Sequence, residues 1–177
     1  MTTILKVEKI TKKFGDFYAN NGISFEVNKS EVLAILGENG AGKTTLMNIL
    51  FGHYTPDAGN VNFEGNAIEF GNTNNAIKLG IGMVHQHFTL AENLTVLENI
   101  ILGIENATLK NIKKKKFINE ILEISNKYGM PLNPNVTIDE LGVGEKQRVE
   151  ILKVLYRGAK ILILDEPTAV LVPQEVK

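Results

Sequence analysis

Eight consecutive residues, Gly37-Glu38-Asn39-Gly40-Ala41-Gly42-Lys43-Thr44, have the types and spacing needed to grip a chain of phosphates. Glycines let successive backbone N–H groups turn inward around phosphate oxygens, where a Cβ would clash. A helix starting at Lys43 would add the partial positive charge of its N-terminus. Lys43 would then reach the terminal phosphates, and the Thr44 hydroxyl could ligate Mg²⁺. Asn39, Ala41 and Thr45 belong to the same stretch and are counted with it as nucleotide-binding. An ordinary glycine-rich turn would share some of these features, so the flanks decide. The apolar run Val32-Leu33-Ala34-Ile35-Leu36 precedes the loop, and a helical pattern over residues 43–51 follows it.

A second constellation closes the chain. Ile161-Leu162-Ile163-Leu164 is an apolar run that ends in Asp165-Glu166-Pro167. An Asp at the C-terminal end of a parallel strand lies where open α/β sheets bind ligands, and it can hold Mg²⁺ directly or through water. Glu166 could polarise a water for in-line attack on a γ-phosphate. Taken alone, the pair fits an acidic turn at a strand end equally well. Beside a phosphate-gripping loop, the catalytic reading is the stronger one. His53, His85 and His87 have no metal-ligand spacing with carboxylates and read as structural or surface residues.

The composition sets the frame for these residues. The chain has 177 residues, 44% of them apolar, which suits one domain with a sizeable core. Lys and Arg number 19 against 20 Asp and Glu, so the net charge of −1 gives no basic groove for nucleic acid. The absence of cysteine removes disulfides, thiolate metal sites and Cys nucleophiles. No apolar run approaches the ~18 residues of a membrane span, and the first residues lack the pattern of a signal peptide. The Lys113 to Lys116 tract reads as a solvated helix face.

Strands are expected over residues 4–10, 22–27, 32–36, 61–63, 81–84 and 161–164, with 32–36 buried on both faces. Helices are expected over residues 43–51, 96–102, 110–128 and 144–157. Thr95-x-x-Glu98 forms a capping box for the second, and Gly129 and Gly158 end the last two. The fold class is therefore α/β, with an N-terminal β region and a helical insertion. The expected division is a nucleotide-binding core over residues 1–94, a helical subdomain over 95–157, and the acidic strand with its following loop over 158–177.

Three further motifs complete an ordered set. Phe14 stands 29 residues before Lys43, and Gln86 follows the short strand 81–84 within Val84-His85-Gln86-His87-Phe88. Leu141-Gly142-Val143-Gly144-Glu145-Lys146-Gln147-Arg148 stands 24 residues before Asp165 and opens a helix. This order closely resembles the nucleotide-binding domain of ABC transporters: A-loop aromatic, Walker A, Q-loop, signature and Walker B. It implies a P-loop NTPase core whose N-terminal β region is antiparallel.

By this resemblance Phe14 would stack on adenine, although a phenylalanine taken alone is more often a packed core residue. Gln86 would sense the γ-phosphate, with Thr44 and Asp165, through Mg²⁺ or the attacking water. Leu141, Gly142, Val143 and Gly144 would act in trans on ATP held by a second ATPase domain, tandem or homodimeric. The segments around Gln86 and over residues 149–159 look like those of importer ATPases for nucleosides and simple sugars. The resemblance therefore implies ATP hydrolysis that powers import through membrane permease subunits, served indirectly by a solute-binding protein. It implies a cytoplasmic location, peripheral on the inner face of the cell membrane, and no nucleic-acid partner. A non-transport ABC ATPase, or a regulatory nucleotide-binding module with little turnover, is the alternative.

Three departures from the family pattern stand out. Gly142 occupies the place of the usual signature Ser, and Ala169-Val170-Leu171-Val172 offers no acidic residue after Glu166. The sequence also stops 11 residues past Glu166, before the strand and His that the family places next. The C-terminal part of the domain is thus expected to be missing, and turnover by the chain as given to be slow.

Overall fold

The computed structural model describes residues 2–104 and 111–166, which form two compact units, Met1–Ile81 and Gly82–Lys177. The expectations for Lys110 and for the 169–172 segment lie outside the described residues.

In the first unit, β1 (Thr3–Phe14) and β2 (Phe17–Asn28) form a hairpin closed by the Phe14↔Phe17 pair. Gly15 takes the left-handed conformation (φ 58°) that this short turn requires. Leu5, Val7 and Ile10 are buried, although Ile10 breaks the two-residue period. Lys9 explains this: at φ 51°, beside a register shift between Val7 and Ile10, it forms a bulge that returns Ile10 to the inner face. β3 (Ala58–Phe63) pairs antiparallel with the other edge of β1, and Glu64 and Gly65, both at positive φ, turn it into β4 (Asn66–Ala67). The resulting sheet has the order β2-β1-β3-β4.

Helix α1 (Lys43–Leu50) buries Leu46, Ile49 and Leu50, the apolar stripe that its spacing foretells. The sequence pattern gave no warning of α2 (Thr73–Leu79). Its three Asn and Thr residues make it a weak helix by propensity, yet the Asn72 side chain accepts from Asn75 N–H at its start and Gly80 (φ 97°) ends it.

The expected strand over residues 32–36 requires correction. These residues pair with no strand among those described, and Val32 and Leu36 are 95% and 90% exposed. An apolar run becomes a buried strand only when neighbours take up its N–H and C=O groups on both sides. In this unit the run joins neither edge of the four-stranded sheet, β2 or β4, and so leads to the loop without a ladder.

In the second unit, β5 (Ile81–Val84) is fully buried and pairs with β6 (Ile161–Leu164). Helices α3 (Val96–Ile101), α4 (Asn111–Lys127) and α5 (Val143–Tyr156) enclose a core of Val96, Leu97, Ile100, Ile101, Ile121, Ile138, Val149 and Leu152. A Cβ on Gly82 would fall 2.0 Å from Val154 Cγ1, so β5 and α5 meet at a distance only glycine allows. The α/β class with an antiparallel N-terminal sheet holds. Among the described residues, no helix is long and apolar enough to cross a membrane.

Candidate functional site

The glycine-rich loop belongs to the first unit. Gly40 and Gly42 have φ 83° and 84°, backbone states that L side chains rarely adopt. At Gly42 the need is also one of space, since a Cβ would lie 1.9 Å from the Ala19 carbonyl oxygen. Gly37 is close-packed too, its Cβ position 3.2 Å from that of Ala41. Lys43, the first residue of α1, folds back so that its ammonium donates to the carbonyls of Gly37 (2.7 Å) and Glu38 (2.8 Å). That curls the positive charge over the loop. Thr44 and Thr45 follow in the first turn of α1, which has no acidic residue to offset the helix dipole. Asn39 and Ala41 lie within the loop, and Ala41 N–H donates to the Glu38 carbonyl at 3.1 Å.

Phe14 is 48% exposed at the tip of the β1–β2 hairpin, so the packed-core reading of this residue fails. Its ring meets Tyr54 edge to face at 6.0 Å, and Lys12 Nζ lies 5.4 Å from its centroid. Asp57 steadies the hairpin, accepting from Lys13 N–H at 2.6 Å and from Lys12 Nζ at 3.3 Å. The Lys13 amide bond, with the Lys12 ammonium as a smaller cause, lowers the Asp57 carboxyl below its ordinary range. Tyr54, Asp57 and Lys12 were not read from the sequence. Their roles depend on α1 delivering residues 53–57 to the hairpin, which no local pattern records.

The second unit carries the acids and the glutamine. Asp165 directly follows β6, is buried, and its N–H donates to the Val84 carbonyl at 3.2 Å. Glu166 comes next at φ 48°, a left-handed state costing about 1–3 kcal/mol for a non-glycine residue. Its carboxylate accepts from the Gln86 side-chain amide at 2.9 Å, so two residues singled out 80 positions apart meet directly. The loop after Gln86 is tied down as well. Buried Glu150 of α5 accepts from both the N–H (2.5 Å) and the hydroxyl (2.9 Å) of Thr89, and buried Asn99 of α3 bonds both the N–H and C=O of Ala91.

Leu141 packs partly buried against the helical core, and Gly142 caps α5, followed by Val143 and Gly144 in its first turn. The Glu145 carboxylate accepts from Gly142 N–H at 3.0 Å. This is half of a capping box, and glycine has no hydroxyl to supply the other half.

The family pattern for ABC transporters matches residues 20–169. The chain belongs to the ABC transporter family. It is 52% identical to the nucleoside import ATP-binding protein NupA of Lactococcus lactis subsp. cremoris, over 98% of this chain and 34% of that protein. It is 49% identical to the guanosine import ATP-binding protein NupO of Bacillus subtilis, over 100% of this chain and 35% of that one. Thus the chain spans about a third of the length of these curated relatives. Among solved structures it resembles an ATP-binding cassette of an ABC transporter in its ADP conformation, with a TM-score of 0.84 and 29% identity. That match covers 99% of this chain and 73% of the other.

Proposed function

We propose that this ABC transporter chain binds and hydrolyses Mg²⁺-ATP to power solute import, the solute being a nucleoside or simple sugar. The observation that carries the reading is the loop from Gly37 to Thr44. Its two left-handed glycines, its Lys43 ammonium curled over the loop and its place at the start of α1 suit a chain of phosphates. The similarity to nucleoside and guanosine import ATP-binding proteins supports the import assignment.

Phe14 offers an exposed ring for adenine, and the backbone N–H groups of residues 39–45 hold the phosphates. By the family resemblance, the Thr44 hydroxyl, the Asp165 carboxylate and the Gln86 amide oxygen would be the hard donors for Mg²⁺. Among the described residues, no cluster of three or more His, Asp or Glu could hold a metal alone. Mg²⁺ keeps few protein ligands and takes the rest from phosphate oxygens and water. Held there, the ion would supply neutralisation of the phosphate charge. Glu166 accepts a proton from the attacking water, and Gln86, which shares the same carboxylate, orients that pair.

Leu141, Gly142, Val143 and Gly144 serve ATP on a second ATPase domain through the N-terminus of α5. Permease subunits, a solute-binding protein acting through them, and a place on the inner face of the cell membrane complete the proposal. Calorimetric titration tests the core of it: the chain binds Mg²⁺-ATP, and Lys43→Ala loses most of that affinity. Equal affinity in the two proteins would overturn the reading of the loop.

A further inference from the structure

Asn20 lies in β2 beneath the glycine-rich loop and is 5% exposed. Its side-chain Nδ2 donates to the Gly42 carbonyl at 3.1 Å. That carbonyl also accepts from Leu46 N–H at 3.0 Å, the first intrahelical bond of α1. The other half of the amide, Oδ1, is buried and meets no hydrogen-bond donor among the described residues. The amide therefore buries an acceptor that gains no partner among the described residues, so stability alone gives no reason for an amide here. Direction does. The Gly42 carbonyl and the Lys43 N–H belong to one planar trans peptide and point in opposite senses. Holding the carbonyl from below therefore turns the Lys43 N–H out into the loop. The neighbouring Ala19 carbonyl presses on the same turn from a distance that only glycine at position 42 tolerates. Asn20 also pairs with Lys12 across the hairpin that ends in Phe14. One strand thus supports both the base-facing ring and the phosphate-facing peptide.

We propose that Asn20 is a positioning residue for phosphate binding, fixing the Gly42–Lys43 peptide so that its N–H faces the nucleotide. The proposal rests on the reading of residues 37–44 as the ATP site. It predicts a split between stability and affinity that a merely structural residue would not show.

The test uses Asn20→Leu, with wild type and Lys43→Ala alongside, in the full chain. Melting temperature is measured by scanning calorimetry, and affinities for ATP and for inorganic tripolyphosphate by titration. Asn20→Leu is expected to bind both ligands about tenfold more weakly, the scale of one lost hydrogen bond, and the loss persists on cooling well below its melting temperature. The factor is the same for both because the base takes no part. Wild-type affinity in Asn20→Leu overturns the proposal. So does an affinity loss that tracks a lowered melting temperature and disappears on cooling. Should the leucine variant not fold, Asn20→Ala carries the same comparison, since it removes both amide atoms without adding bulk. If wild type itself binds neither ligand, the reading of the loop falls and takes this proposal with it. If wild type binds, Lys43→Ala does not and Asn20→Leu does, only the role of Asn20 is lost.

Discussion

An aromatic ring on a hairpin tip loses contact with its own core, so its energy must come from something outside it. Phe14 has Tyr54 at its edge and Lys12 near its face, and about half of its surface is open. Phe14→Ala should therefore cost little stability while weakening ATP and ADP equally, by ~1–3 kcal/mol if the ring stacks on the base. GTP should weaken comparably, because a stack discriminates poorly between purines. Parallel titrations of the three nucleotides, with a melting curve for each protein, decide this. A fall in melting temperature with unchanged affinity would return Phe14 to a packing role. A second side chain, Glu98, links local chemistry to pH. Hydrogen bonds from the Thr95 N–H and then from its hydroxyl hold the Glu98 carboxyl below its ordinary value of 4.5. The folded pKa is depressed, so this contribution is complete above pH 4.5 and is lost as pH falls through the lower folded value. Amide exchange in α3 should accelerate over that window. Thr95→Ala removes only the hydroxyl bond, so it should weaken the acid dependence in part, leave the share due to the backbone N–H, and cost about 1 kcal/mol at neutral pH.

Elements that carry their own signals were legible in the sequence. The Thr95–Glu98 capping box forms as its spacing demands, and Gly129 and Gly158 adopt left-handed φ at the ends of α4 and α5. What stayed hidden depends on partners distant in sequence. The bulge at Lys9 answers to register with β2 and β3, α2 is held by an Asn cap rather than by propensity, and residues 32–36 pair with no strand among the described residues. The candidate site divides along the same line. Its motifs show in the sequence, whereas the bonds Gln86–Glu166, Thr89–Glu150 and Asn20–Gly42 exist only once the chain folds. Helix α5 offers a direct test at this scale. Gly142 has an extended φ of −67°, and a Cβ there would come no closer than 3.6 Å to Glu145 Oε2. Serine therefore fits without strain, and its hydroxyl can complete the box with Glu145 N–H. Gly142→Ser should raise stability by a few tenths of a kcal/mol, read as a higher urea midpoint at unchanged slope. A lowered midpoint would mean that the cap has another geometry.

For the molecule as a whole, nucleotide binding and folding are one linked equilibrium. A ligand that binds only the folded chain stabilises it by RT ln(1 + [L]/Kd), about 2.7 kcal/mol at a hundred times Kd. For a chain of this size, each kcal/mol moves the melting temperature by roughly 2–4 °C. ATP at a hundred times its calorimetric Kd should therefore raise the midpoint by roughly 5–11 °C, and the rise should continue with the logarithm of concentration instead of reaching a plateau. The loop-bearing residues belong to the unit Met1–Ile81. If the two units melt in separate steps, the step that includes this unit must move. Lys43→Ala should show no shift at the same concentrations. A near-neutral chain, with 19 basic against 20 acidic residues, has little general attraction for polyanions, so a nucleotide effect that needs Lys43 cannot be assigned to diffuse charge. Scanning calorimetry with ATP, ADP and inorganic sulfate at matched ionic strength separates these cases. A shift of the same size with sulfate, or an undiminished shift in Lys43→Ala, would place the stabilising contact outside the loop.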